Sequence, residues 1–128
     1  MINKLFALGF SVCLSSQAFG TEITKDDFNS YKKDTGIKGV VTRSVESIMQ
    51  LNKQESSTEP FGSEYKKINA QKDQIQHKIW DACLNSGYTE SEMAEVGIVK
   101  CNAEKLLINL KIKDGWKTTE QTIELTKD

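Results

Sequence analysis

The chain has 128 residues, with 17 basic and 18 acidic side chains and one histidine, which gives a net charge of −1. This balance differs from the strongly basic surface of nucleic-acid-binding proteins, so we expect no nucleic-acid partner. The length suits one domain that can bury a modest hydrophobic core.

Residues 1–20 have the layout of a secretory signal peptide. Lys4 supplies the positive charge, the apolar run extends from Leu5 to Leu14, and Ala18 and Gly20 supply small residues for cleavage. A membrane-spanning helix needs about 20 apolar residues, twice the length of this run. We therefore predict cleavage after Gly20, or after Ala18, rather than retention as a membrane anchor.

Cleavage leaves one small exported domain, residues 21–128, which is periplasmic or secreted. Loss of Lys4 changes the net charge to about −2, and this favours a basic partner. Cys13 is removed with the leader, and lipid attachment to Cys13 is the alternative. We expect no transmembrane segment in the mature chain, because no later apolar run is long enough.

Two cysteines, Cys83 and Cys101, remain after cleavage. Export to an oxidising compartment predicts a disulfide between them. Their spacing differs from the Cys-x-x-Cys spacing of redox-active pairs. Two thiols and the distant His77 also do not make a zinc site, so we expect neither a metal nor a cofactor.

The N-terminal half of the mature chain has helical periodicity. Thr24 is placed to cap a short helix that Gly36 ends. Apolar residues then recur at spacings of three and four, which predicts an amphipathic helix over about 38–53. Residues 55–63 contain Pro60 and Gly62 and form a loop.

The strongest helix covers 64–86 and ends before Gly87. Its apolar stripe consists of Tyr65, Ile68, Ile75, Ile79 and Ala82. Trp80 lies beside this stripe, and we expect it to be a partly buried residue whose indole N–H needs a hydrogen-bond partner.

The disulfide constrains the segment that follows this helix. A tight hairpin at Gly87 would leave Cys101 about 12 Å from Cys83, at 1.5 Å per helical residue. A disulfide tolerates a Cα separation of only about 7 Å. We therefore predict a longer turn, with a short helix that a Thr89–Glu92 capping box starts and Gly97 ends.

The C-terminal third allows two interpretations. Alternation of apolar and polar residues from Ile108 to Lys113 runs into Asp114-Gly115, which predicts a hairpin with a threonine-rich return strand. The rival interpretation is a helix over about 98–113, which would make the fold an all-α bundle. We favour the hairpin and predict an α+β fold, mainly helical, with three N-terminal helices, a small C-terminal β-hairpin and one disulfide.

A turn at Asp114-Gly115 fixes the expected register of this hairpin. Ile112 would lie opposite Lys117 and Ile108 opposite Gln121, a poor apolar face that a bulge could repair. Trp116 would then point away from Ile112 and be exposed.

No specific catalytic constellation is present in the sequence. The single histidine, His77, lies among polar residues of the long helix and is expected to be an ordinary surface residue. We therefore assign no catalytic residue, and we expect a protein that is not an enzyme.

The segment between the cysteines is the main candidate for partner binding. It places an aromatic residue and three acids, Tyr88, Glu90, Glu92 and Glu95, on a segment tied at both ends, which suits protein recognition. The alternative is that the acids only solvate a short helix and favour its N-terminus. Trp116 is the second candidate contact.

These features predict a non-enzymatic protein-binding module that acts outside the cytoplasm. The most concrete hypothesis is an inhibitor or immunity-type protein, whose acidic tied segment enters the cleft of a basic secreted hydrolase. The alternatives are an accessory or assembly subunit of an envelope complex and a small carboxylate-dependent hydrolase. The sequence does not indicate an oligomeric state.

Overall fold

The computed structural model describes residues 20–85 and 87–127, so the predicted leader, apart from Gly20, lies outside the described residues. These residues form one short strand, then four helices, then three strands. The order is β1 (Thr21–Thr24), α1 (Lys25–Tyr31), α2 (Ile37–Ser56), α3 (Ser63–Asn85), α4 (Glu90–Ala94), β2 (Ile98–Cys101), β3 (Lys105–Asp114) and β4 (Lys117–Thr126).

Strand β3 is the centre of the sheet. One edge of β3 pairs antiparallel with β4 over its whole length. The other edge is shared, because β2 pairs antiparallel with residues 106–108 and β1 pairs parallel with residues 110–113. Strands β1 and β2 therefore lie end to end beside β3, and β4 forms the opposite edge of the sheet.

The two strands that share an edge meet beside Asn109. The Asn109 backbone N–H donates a hydrogen bond to the carbonyl oxygen of Gly97 at 2.8 Å. A Cβ atom added to Gly97 would lie 2.5 Å from the Asn109 carbonyl oxygen. A Cβ atom added to Gly20 would lie 2.7 Å from the same oxygen. Both glycines also have positive φ, so a side chain at either position would clash and strain the backbone.

The core lies between the inner face of the sheet and the helices. Strand β3 alternates strictly, with Leu106, Ile108, Leu110 and Ile112 buried on its inner face. These side chains form one apolar cluster with residues of the helices, among them Phe28, Ile37, Val41, Val45, Ile48 and Ile79. The result is a two-layer arrangement with helices on one face and a polar outer sheet face.

The predicted start of α1 is confirmed and its predicted end is wrong. The Thr24 side chain accepts a hydrogen bond from the Asp27 backbone N–H at 3.0 Å. Helix α1 ends at Tyr31, and Gly36 is instead the N-cap of α2. The Gly36 N–H donates to the Asp34 carboxylate at 2.8 Å, so Gly36 belongs to the turn that starts the next helix.

The disulfide between Cys83 and Cys101 is confirmed, with a Cα–Cα distance of 6.6 Å. The longer turn that it requires is also present, since α4 begins with the expected Thr89–Glu92 capping box. Trp80 donates its indole N–H to the Asn102 carbonyl oxygen at 2.8 Å. This bond adds a second link between α3 and the β2–β3 turn.

The C-terminal hairpin is confirmed, but its expected register is wrong. Ile112 lies opposite Thr119 and Ile108 opposite Ile123, because the two-residue turn is Gly115-Trp116 and Asp114 still belongs to β3. Gly115 has φ +67° at the first turn position and Trp116 is not left-handed, the pattern of a type II′ turn. The observed pairing gives a good apolar face without a bulge.

The α+β fold with one disulfide is therefore confirmed, and the rival helix over 98–113 is wrong, since residues 98–101 and 105–114 are strands. The sequence analysis also did not predict β1 or β2 as strands. Within residues 20–85 and 87–127, no helix combines the length and apolar composition needed to cross a bilayer.

Replacement of Gly39 by alanine tests the packing of the α1–α2 turn. A Cβ atom at Gly39, near the start of α2, would overlap the Asp34 carbonyl oxygen. Alanine normally stabilises a helix by about 1 kcal/mol relative to glycine. Here the overlap makes the substitution destabilising, and Gly39→Ala should lower the free energy of unfolding by about 1–3 kcal/mol in urea titrations.

Ser47→Ala is the matched control, because Ser47 is exposed on the same helix. It should leave stability nearly unchanged. A Gly39→Ala variant as stable as the wild type would contradict the close approach of Asp34 to α2.

Candidate functional site

The segment between the two cysteines is held at both ends and along its length. The disulfide joins the end of α3 to β2. Within the segment, the Thr89 hydroxyl accepts from the Glu92 backbone N–H at 3.1 Å, while the Glu92 carboxylate accepts from the Thr89 N–H at 3.2 Å. These bonds satisfy backbone donors that the start of a helix leaves without partners. Glu92 therefore has a structural role in starting α4.

Glu95 lies against α2. Its carboxylate accepts a hydrogen bond from the Lys38 ammonium at 3.2 Å. This hydrogen bond, more than the Coulombic attraction of Glu95, raises the pKa of the exposed Lys38 ammonium above its ordinary value. The pair fixes the end of α4 to the start of α2, so the Glu95 charge is largely compensated within the chain.

Tyr88 and Glu90 complete the predicted set of this segment. Tyr88 is half-buried and packs against the apolar core, with its ring over Gly36. Glu90 is exposed, and among the described residues it takes part in no ion pair. Glu90 is thus the exposed acid of the tied segment whose charge is not paired with another described residue.

A cleft of about 330 Å³ lies between α4 and β2, beside the disulfide. Polar and apolar surface contribute about equally to its walls. The lining consists of Glu90, Met93, Ala94, Ile98, Val99, Lys100 and Cys101. Sites for small ligands are lined predominantly by apolar side chains, so this mixed lining does not mark the cleft as such a site.

Trp116 lies in the hairpin turn, and its side chain is 97% exposed. Its exposure agrees with the sequence analysis, although the reason differs, because Trp116 belongs to the turn and not to a strand. The neighbouring residues Lys113, Asp114 and Lys117 are also exposed and carry charges of both signs. The indole is therefore the dominant apolar feature of this tip.

The structure does not bring Trp116 together with the tied segment. Gly97, which follows α4, lies beside Asn109 in the middle of β3, whereas Gly115 lies six residues further along. At about 3.3 Å per strand residue, the two candidate contacts are roughly 20 Å apart. They form two surfaces.

Phe61, in the loop between α2 and α3, is an exposed aromatic residue that the sequence analysis did not select. Its side chain is 78% exposed, and among the described residues it alone combines a side chain with positive φ, at 63°. Its ring lies 5.5 Å from that of Tyr65. The signal in the sequence was an aromatic residue between Pro60 and Gly62, where a loop normally carries polar residues.

His77 is exposed on α3, as expected, with its Nδ1 atom 3.0 Å from the Asp73 carbonyl oxygen. No group of three or more histidine, cysteine or acidic side chains is arranged to hold a metal ion in the part of the chain that the structure describes.

Comparison of the chain with protein-family models, curated proteins and solved structures found no match in any of the three.

Removal of the disulfide tests how far it stabilises the tied segment. The Cys83→Ser/Cys101→Ser double variant should lower the free energy of unfolding by about 3 kcal/mol, because a loop of this length gains that much entropy in the unfolded chain when the bond is absent. Urea unfolding followed by circular dichroism measures the difference.

Reduced wild-type protein is the control and should unfold with the same midpoint as the double variant. If the oxidised wild type and the double variant unfolded at the same urea concentration, the stabilising role of the cross-link would be contradicted.

Proposed function

We propose that this protein is exported after cleavage near Gly20 and binds another protein without catalysing a reaction. The most concrete form is an inhibitor or immunity-type protein that enters the active-site cleft of a secreted hydrolase. The observation that carries the proposal is Trp116, 97% exposed at the tip of a hairpin. The disulfide between Cys83 and Cys101 supports export, since such bonds persist in oxidising compartments.

Trp116 has the chemistry of an interface anchor. Tryptophan is enriched among the few residues that dominate the binding energy of protein interfaces. Covering its ring with a partner removes a large apolar area from water, and the indole N–H can donate a hydrogen bond.

The hairpin holds Trp116 in a defined position. Strands β3 and β4 pair without interruption from Lys105 opposite Thr126 to Asp114 opposite Lys117. On the outer face, the Asn109 amide donates to Glu120 at 2.7 Å and to Thr122 at 2.9 Å. An element that is ordered before binding loses less entropy on association.

The shape of the tip favours a concave partner. A two-residue turn is the narrowest end that a hairpin can have, and active sites of enzymes are concave and mostly apolar. We therefore assign insertion to the hairpin tip rather than to the acidic segment, whose Glu92 and Glu95 carboxylates are engaged within the chain. The net negative charge of the mature chain adds attraction to a basic hydrolase.

Phe61 supports a second candidate, an accessory or assembly subunit of an envelope complex. An exposed aromatic residue with left-handed backbone is costly in a monomer, and such strain is found at contact sites. The Phe61–Tyr65 pair at the end of the α2–α3 hairpin would then contact the complex.

Affinity capture with a Trp116→Ala variant separates the two candidates. The exported, disulfide-bonded protein is immobilised and exposed to envelope and secreted fractions. We expect capture of a hydrolase whose activity falls when the soluble protein is added. Trp116→Ala should weaken that inhibition at least about 30-fold, as loss of an anchor worth about 2 kcal/mol would.

Phe61→Ala is the matched control, because it removes another exposed aromatic side chain from a different loop. It should leave inhibition unchanged. Capture of a multi-subunit envelope complex that depends on Phe61 and not on Trp116 would support the second candidate and overturn the first.

A further inference from the structure

Strand β4 forms an outer edge of the sheet, and its glutamates, Glu120 and Glu124, lie on the outer sheet face. It pairs with β3 and with no other strand among the described residues. It contains no proline and no bulge over its ten residues, and no charged side chain lies on its inner face between Lys117 and Lys127. Natural proteins normally block such an edge with these devices, because its backbone groups are a template for another strand.

The register shows which backbone groups point outward. The Asn109 N–H bonds to Gly97 and the Lys105 carbonyl oxygen accepts from Asn102, so both residues of β3 direct these groups away from β4. The residues opposite them, Thr122 and Thr126, are therefore not hydrogen-bonded to β3 and face the open edge. By alternation, the same holds for the exposed residues Thr118, Glu120 and Glu124.

We propose that this edge pairs with the same edge of a second copy of the chain, antiparallel about a two-fold axis that passes beside Ile123. In this register, Glu124 lies opposite the partner's Thr122 and Glu120 opposite the partner's Thr126. Ile123 lies opposite its own copy on the inner face. The outward-facing backbone N–H and C=O groups of one β4 strand meet those of the other. A continuous hydrogen-bonded ladder therefore joins the two sheets.

Charge decides among the two-fold registers. An axis beside Thr122 would set Glu120 opposite the partner's Glu124 twice, and like charges directly opposite each other are destabilising. An axis beside Gln121 would set Lys117 opposite the partner's Leu125. The axis beside Ile123 avoids both conflicts and sets every glutamate opposite a threonine.

The helical layer leaves room for this pairing. A two-fold axis normal to the sheet places both helical layers on the same side. Thr119, Gln121 and Leu125, which line the inner face of β4, are only half-buried, so the helices do not cover this edge completely. The second copy would cover part of that remaining surface, including the Leu125 side chain.

The dimer would carry two tips that point in opposite directions. Trp116 precedes the axis by seven residues, which is about 23 Å along the strand, so the two indoles would lie roughly 46 Å apart. The dimer inference rests on the β4 edge and is independent of the proposed function, since either could fail alone.

Analytical ultracentrifugation of the exported protein over a range of concentrations tests the dimer. We expect a monomer–dimer equilibrium. Glu124→Pro removes an outward N–H near the axis while the ladder to β3 keeps its bonds, and it should raise the dimer dissociation constant about tenfold or more. Glu124→Gln controls for loss of the charge and of the ion pair with Lys105, and should leave the equilibrium nearly unchanged.

Thr118→Pro is the positional control, because Thr118 faces the same edge outside the paired residues 119–127 and should not affect the dimer. If Glu124→Pro does not fold, Thr126→Lys tests the dimer instead. This variant sets a lysine opposite the partner's Glu120 only in the proposed register. Tighter association supports the proposal. A monomer at all concentrations, or association that Thr126→Lys does not tighten, would overturn it, as would a folded Glu124→Pro variant that dimerises like the wild type.

Discussion

The close approach at Asn109 is the constraint on which the sheet depends. Strands of opposite direction, β1 and β2, meet beside this residue, and its carbonyl oxygen leaves no space for a side chain at Gly20 or Gly97. Because β1 and β2 pair with one side of β3 and β4 pairs with the other, β4 is one of the two outer edges of the sheet. The same arrangement directs the β3–β4 turn, with Trp116, away from the tied segment.

The elements that were predicted correctly are those whose signals are local. Capping residues such as Thr24 and Thr89 act within one turn of their helix, so their positions could be read from the sequence. The longer turn after α3 could also be predicted, because the cross-link between Cys83 and Cys101 excludes a tight hairpin. These arguments use distances along the chain and need no tertiary information.

The errors share a tertiary cause. Strand β1 has a single buried residue, Ile23, and β2 has four residues, so neither has enough alternation to be recognised without its partner β3. The hairpin register failed because Asp114-Gly115 matches a type I′ turn, whereas the chain turns one residue later with Gly115 in the first position. The pairing of Ile108 with Ile123 shows that the apolar face selected the later turn.

The candidate site likewise has features that the sequence predicts and features that only the structure shows. Residue type and the expectation of export identified the tied segment, but only the structure shows that Glu92 and Glu95 are engaged within the chain, whereas Glu90 is exposed without an ion pair to the described residues. Sequence reasoning selected Trp116 and missed Phe61, because a left-handed backbone is visible only in the fold.

The hairpin fixes the backbone of Trp116 and leaves its indole ring in solvent. Time-resolved fluorescence of a Trp80→Phe variant, in which Trp116 is the remaining tryptophan, tests this claim directly. We predict emission like that of indole in water and full access of acrylamide to the ring. Blue-shifted emission from a ring that is protected from acrylamide would contradict this exposure.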